Sequence, residues 1–197
     1  RELVRLRDDL PLPAPLSELT LKEPPHAPLM GHGTALDGGD AWVDGGCRTV
    51  QGVEVAGWGA YCGPEHGGNT SGEVPGRQAP KGAELAGLVA ALEVEEGSLH
   101  IRTDCRMVLR GWGELAQYRS RTWMKRQLHA QPMPQADLWR QAFHARRRRE
   151  KRGLQTTLTW VARSSSELKA AHGLASAAIA AAAQRRGLAP PPQRRRA

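Results

Sequence analysis

Two short apolar runs joined by a turn, followed by helical and strand patterns in alternation, constrain the fold of this chain more than any other feature. Residues 41–47 include Trp42 and Val43, and in residues 53–62 Val53, Val55, Gly57, Gly59 and Tyr61 alternate with other side chains, the period of a half-buried strand. A third, shorter strand is predicted over 72–74, between Gly and Pro. Pro80 then opens a helix, because Leu85, Leu88, Val89 and Leu92 recur at helical spacing and Pro is tolerated in a first turn. Residues 99–103 read as a strand and 106–118 as a helix with Met107, Val108 and Leu115 inward, although Gly111 and Gly113 are poor helix formers. A helix over 136–150, a strand over 154–161 and an Ala-rich helix over 167–186 complete the order β-β-β-α-β-α-α-β-α. An antiparallel unit followed by alternating helices and strands implies an α/β fold, a mixed sheet covered by helices.

The flanks read differently. Residues 1–39 carry Pro11, Pro13, Pro15, Pro24, Pro25 and Pro28 and then a Gly-rich stretch. That composition removes backbone donors and predicts a linker or loose extension. The tail over 187–197, with Pro190, Pro191, Pro192 and Arg194 to Arg196, reads as a basic disordered segment. One domain is therefore expected over 40–186. The start has neither an initiating Met nor a secretory pattern, and reads as a piece of a longer polypeptide. No run of about 18 apolar residues is present to span a bilayer. Cys47, Cys62 and Cys105 form no CxxC pair and are odd in number, which points to an intracellular, reducing compartment. The seven histidines show no HExxH spacing, which argues against zinc.

Charge is unevenly spread. From Leu138 onward there are 14 Lys and Arg against Glu150 and Glu167, whereas the first 137 residues hold 14 basic and 18 acidic side chains. A basic C-terminal third suits a polyanion partner, and it equally suits a solvated helix face with a basic tail. Within it, Arg146 to Arg152 cannot all face one way at helical spacing, so some read as nucleic-acid contacts and others as surface charge.

Three acids stand out against this background. Asp44 lies in or at the end of a short apolar strand, a poor place for a charge unless a cation offsets its desolvation; alternatively, Asp44-Gly45-Gly46 turns the chain. Glu84 precedes Leu88 by four residues and so shares the apolar face of its helix, or else it serves the helix dipole. Asp104 directly follows a strand, where open α/β sheets place ligands, or it caps the next helix. If the first and fourth strands are neighbours, the three converge. Such a cluster is stable with divalent cations, and oxygen donors favour Mg²⁺ or Mn²⁺.

The succession of these segments resembles the ribonuclease H family, especially the domains attached to reverse transcriptases of retroelements. The resemblance is carried by Trp42-Val43-Asp44-Gly45-Gly46, the glycine-bearing Gly57-Trp58-Gly59, Gln78 to Leu85, Ile101 to Cys105, Asp137-Leu138-Trp139 and Trp160-Val161. It implies a five-stranded mixed sheet with three antiparallel strands and then two parallel ones. It also implies metal ligation and catalysis by Asp44, Glu84 and Asp104, with two Mg²⁺ or Mn²⁺ ions. Gly45 would let the substrate backbone approach, and Gln78 would contact an RNA/DNA hybrid. Trp123 with Arg121, Lys125 and Arg126 would grip the DNA strand; read from the residues alone, Trp123 equally suits a core tryptophan beside solvated charges. The usual Thr-Asn-Asn after the glutamine reads Ala79-Pro80-Lys81, and Ser164 stands at the usual loop His.

The family's fourth acid, on the last helix, has no counterpart in the best register, which sets Ser176 at its position. Glu167 lies about two turns too early, and His172 could be a displaced loop His. The implied function is metal-dependent endonucleolytic cleavage of the RNA strand of RNA/DNA hybrids, by a domain fused to or associated with a reverse transcriptase. The alternatives are a catalytically impaired nucleic-acid-binding module from a degenerate retroelement and an unrelated basic α/β domain.

Overall fold

The computed structural model describes residues 39–93, 97–117 and 135–188. The expected segment around Trp123, with Arg121, Lys125 and Arg126, and the flanking extensions up to residue 38 and from 189 lie outside the described residues.

Five strands form one sheet: β1 (Asp40–Val50), β2 (Val53–Tyr61), β3 (Thr70–Glu73), β4 (Leu99–Thr103) and β5 (Thr156–Trp160). Their spatial order is β3-β2-β1-β4-β5. β1 pairs antiparallel with β2 and parallel with β4, β2 pairs antiparallel with β3, and β4 pairs parallel with β5. This is the predicted mixed sheet of three antiparallel and two parallel strands, with β1 at its centre. The β1–β2 hairpin turns at Gln51 and Gly52, both at positive φ (50° and 80°), the pairing that matches strand twist in a two-residue loop.

β1 runs for 11 residues and is longer than the predicted 41–47. Gly45 and Gly46 do not turn the chain; they stay in the ladder opposite Trp58 and Gly57. The reason is packing from both sides. Helix α1 (Pro80–Leu92) lies against Gly45, where an added β-carbon would come within 2.3 Å of the Ala83 carbonyl carbon. On the opposite face, helix α4 (Ser166–Arg185) lies on Gly57 and Gly59 of β2. A β-carbon on Gly59 would meet the Ala171 carbonyl oxygen at 2.4 Å. The buried stripe Ala171, Ala175, Ala178, Ile179, Ala182 of α4 matches this close seat. Ser165 caps α4, its hydroxyl accepting from the Leu168 amide at 3.2 Å. Leu188 packs against Val50, Val55 and Ile179, so the packed core reaches slightly beyond the predicted end at 186.

Helices α2 (Arg106–Gln117) and α3 (Ala136–Lys151) complete the layer on the α1 side. Gly111, which weakened the sequence case for α2, is where the buried Trp139 of α3 lies against it: an added β-carbon would sit 2.0 Å from the ring. The arginine run of α3 serves the fold more than the sequence reading allows. Arg146 lies over the Trp112 ring at 4.2 Å and donates to the Trp112 carbonyl at 3.2 Å. Arg147 reaches Glu150 at 2.9 Å and Arg148 reaches Glu93 at 2.8 Å. Arg149 is buried and donates to Thr156 Oγ1 at 2.8 Å and to the Gly97 carbonyl at 2.6 Å. Four consecutive cations thus hold α3 to its neighbours or to each other's partners. Among the described residues, no helix is long and apolar enough to cross a membrane.

Candidate metal centre

Asp44, Glu84 and Asp104 come together beside the carboxyl end of β4, each offering a carboxylate oxygen within 4.8 Å of the other two. Three elements deliver them. β1 carries Asp44 at its middle, α1 presents Glu84 in its second turn, and Asp104 follows the last residue of β4, the parallel neighbour of β1. The convergence expected from sequence is present, and it depends on Gly45: a side chain there would keep α1 from bringing Glu84 beside Asp44. The approach that Gly45 admits here is that of α1 itself.

The electrostatics are those of anions short of counter-charge. The Asp44 side chain is only 2% exposed, yet its Oδ1 has no hydrogen-bond partner, and neither has Oε2 of Glu84. Burial, then the charges of Asp44 and Asp104, push Glu84 up to about 8 from its ordinary 4.5, against smaller opposing effects of Arg163 and the Gly45 amide. Two basic side chains flank the cluster. Arg163, in the loop after β5, places Nε 2.9 Å from Asp104 Oδ2 and Nη2 3.9 Å from Asp44 Oδ1. His172, on α4, places Nδ1 2.7 Å from Asp44 Oδ2. Asp104 is thus turned to Arg163, while the amide of Cys105, the residue before α2, is held by Thr103 Oγ1 at 3.0 Å.

The donor set fits a hard divalent cation. Carboxylate oxygens dominate it, and the orphaned Asp44 Oδ1 and Glu84 Oε2 are buried acceptors for which a cation would be the natural partner.

The remaining predicted positions fall elsewhere. Gln78 turns inward: its Oε1 accepts from the Ala56 amide at 2.8 Å, and its Nε2 donates to the carbonyls of Val74 at 2.7 Å and Gly76 at 2.9 Å. The first contact ties the segment between β3 and α1 to β2, and the other two fold that segment onto itself. Ser176 accepts from Arg48 at 3.1 Å. Glu167 borders a cleft with Asp40, Trp42 and Tyr61 and is not a member of the carboxylate cluster. Of the three candidates on the last helix, His172 is the one beside Asp44. Ser176, one turn further along α4, is turned to Arg48 instead. The signal lay in the small-residue stripe beginning at Ala171, which fixes the face of α4 that meets the sheet and hence the place of the next residue. Arg163 was not anticipated; a lone Arg in a Ser-rich loop carries no spacing signal.

The sequence pattern of the RNase H family matches residues 40–162. No curated protein matches the chain. Among solved structures, the foamy viral protease-reverse transcriptase in complex with dsDNA is similar at 15% identity and a TM-score of 0.57, over 73% of this chain and 94% of that one. The foamy viral protease-reverse transcriptase in complex with RNA/DNA hybrid gives 18% identity and a TM-score of 0.57, over 88% of this chain and 23% of that one. LC11-RNase H1 in complex with RNA/DNA hybrid gives 18% identity and a TM-score of 0.50, over 73% and 97% of the two chains. At these identities the structures speak for a shared fold, and the match over residues 40–162 takes in more than half of the sequence. The chain belongs to the RNase H family.

Proposed function

We propose that this domain is a divalent-metal-dependent nuclease of the RNase H type that hydrolyses the RNA strand of RNA/DNA hybrids, leaving 5′-phosphate and 3′-hydroxyl ends. The observation that carries the reading is the convergence of Asp44, Glu84 and Asp104 with two buried carboxylate oxygens left unpartnered. Asp44, Glu84 and Asp104 would hold Mg²⁺ or Mn²⁺, as a pair of ions if the fourth position also contributes. Bound there, the ions would supply water activation and stabilisation of the leaving oxygen. The chain's own part is positional. Asp44 on β1 and Asp104 directly after β4, two paired strands, give a rigid base, and Glu84 closes the site from α1. Arg163 places a guanidinium where a phosphate oxygen of the substrate could pair with it.

The neighbours in complex with RNA/DNA hybrid support that substrate class, and the foamy viral likeness supports association with a reverse transcriptase, as in a retroelement. Trp123, Arg121, Lys125 and Arg126 remain the proposed contacts to the DNA strand. The inward Gln78 amide favours a structural role for that residue over hybrid contact. Three free cysteines fit a reducing, intracellular setting.

A second reading, a nucleic-acid-binding module with impaired catalysis, is favoured by one observation: no carboxylate of α4 joins the cluster. The test is cleavage of a labelled RNA/DNA hybrid with Mg²⁺ or Mn²⁺, beside Asp104→Asn. The nuclease reading expects cleavage by the parent and none by the variant. Hybrid binding without cleavage by either would favour the impaired module, and neither property would sink both.

A further inference from the structure

The side of the metal centre facing α4 holds an imidazole where a carboxylate would be expected. Three observations fix it there. The antiparallel register sets Asp44 opposite Gly59, Gly59 lets the Ala171 carbonyl descend onto the sheet, and the next residue, His172, therefore reaches Asp44. Its Nδ1 lies 2.7 Å from Asp44 Oδ2. Adjacent donors around an octahedral ion with bonds of about 2.1 Å stand about 3 Å apart, so the ring nitrogen and the carboxylate oxygen, now at hydrogen-bond distance, need only a small displacement to share one ion; that ion would sit on the Asp44 side of the site, since the three acids group within 4.8 Å of one another without His172. The other Asp44 oxygen is buried without a hydrogen-bond partner in a side chain 2% exposed, which leaves Asp44 with an unused acceptor. The His172 side chain is 54% exposed, so its ring lies at the rim and can adjust its angle without repacking the core.

Resting on the metal-centre reading above, we infer that His172 supplies the fourth donor of the site through its imidazole nitrogen, and that the site consequently favours Mn²⁺ and Co²⁺ over Mg²⁺. Mg²⁺ binds chiefly through charge and oxygen donors and gives up its water reluctantly. Exchanging a fourth carboxylate for a neutral ring removes one negative charge from its sphere and offers a softer donor in return. Later first-row ions recover that loss, because affinity for nitrogen-containing sites rises from Mn²⁺ through Co²⁺. Arg163, 2.9 Å from Asp104, acts in the same direction by opposing weakly held cations. Glu167 and Ser176 do not compete for the position, since one borders the Asp40–Trp42 cleft and the other is bonded to Arg48.

The experiment titrates the full chain with MnCl₂, CoCl₂ and MgCl₂ by calorimetry, with pulsed electron paramagnetic resonance on the Mn²⁺-loaded samples. The parent is compared with His172→Ala, His172→Asp and Asp104→Asn, each first checked for its fold by circular dichroism. The parent is expected to show ¹⁴N coupling to Mn²⁺ of a directly bound nitrogen and to bind Mn²⁺ more tightly than Mg²⁺. His172→Ala should lose the ¹⁴N signal and about tenfold in Mn²⁺ affinity, with a smaller loss for Mg²⁺. His172→Asp should also lose the signal and shift the preference back toward Mg²⁺. A histidine that merely orients Asp44 would change affinities without any ¹⁴N coupling in the parent, and that outcome overturns the inference. So does equal Mn²⁺ affinity in parent and His172→Ala. If Asp104→Asn abolishes metal binding in that case, the carboxylate centre stands and only the role of His172 falls; if Asp104→Asn also binds as the parent does, the metal-centre reading falls with it.

Discussion

A β-carbon built on Gly45 would lie 2.2 Å from the amide nitrogen of Glu84: strand β1 and helix α1 meet backbone to backbone at the residue that follows Asp44. The same contact sets both the depth of α1 on the sheet and the distance between two of the three clustered carboxylates. Gly45→Ala must push α1 away or distort β1. Because the clash is with backbone and cannot be relieved by a rotamer change, the expected loss of stability is about 3 kcal/mol. Denaturant melts of parent and variant measure it, and Mn²⁺ affinity should fall in parallel as Glu84 moves off. An unchanged melt would mean that α1 is not seated as described.

That contact also shows what the sequence disclosed and what it hid. The strand and helix order was legible because periodicity reports which faces are buried, and β4, with its alternating Leu99, Ile101 and Thr103 inward, is found where it was predicted. Asp44, Glu84 and Asp104 were legible because acids on apolar faces are costly. Gly45 and Gly46 were ambiguous, since an Asp-Gly-Gly run suits a turn unless helices press on both faces of the strand. His172 was readable only as one of three candidates: the small-residue stripe marks the sheet-facing side of α4, but the loop before α4 sets where along the sheet that side begins, and loop length leaves no periodic trace. The arginines of α3 were legible only in part: charge runs usually face solvent, and burial of Arg149 against Gly97 and Thr156 depends on tertiary partners that no local pattern encodes.

Glu84 makes stability of the metal-free protein depend on pH. Its folded value is raised to about 8 from 4.5, chiefly by burial. Below about pH 4.5 the residue is protonated both folded and unfolded, and its stabilising contribution is complete. As pH rises from there to about 8 only the unfolded chain ionises, so that stability is progressively lost, and beyond about 8 the loss levels off. In chelator, the melting temperature of the parent should therefore drop across this window more than that of Glu84→Gln, whose amide does not ionise. Saturating Mn²⁺ should restore the parent at the alkaline end. Parallel pH profiles for parent and variant would contradict the buried, anion-flanked setting of Glu84.

Arg163 is an internal counter-cation. With Nε 2.9 Å from Asp104 and Nη2 3.9 Å from Asp44, it offsets the repulsion of the cluster and occupies part of the electrostatic space a metal ion would use. Its side chain is 72% exposed, so the pairing itself is weak, about 1 kcal/mol or less. Arg163→Ala is expected to lower the melting temperature slightly in chelator and to raise Mn²⁺ affinity a fewfold, the two changes having opposite sign. Calorimetric titration and thermal melts on the same samples check this. A loss of metal affinity would show instead that Arg163 braces the site.

Gln78 separates a structural from a nucleic-acid role cleanly. Its amide group makes three backbone hydrogen bonds, to Ala56, Val74 and Gly76, and Val74 itself is buried and tied to the Ala56 carbonyl through its amide at 2.9 Å. Removing the side chain leaves the Ala56 amide without its partner inside a packed strand, which costs about 1–3 kcal/mol. Gln78→Ala should therefore lose stability of that order in the free protein, measured by urea melts. Gln78→Glu should fall between the two, because its carboxylate can still accept from Ala56 but cannot donate to Val74 and Gly76. Hybrid affinity, measured well below the melting temperature, should change by less than about threefold, since about 0.6 kcal/mol or less would be involved. A large loss of hybrid binding with an unchanged melt would reverse the assignment and return Gln78 to the substrate-contacting surface.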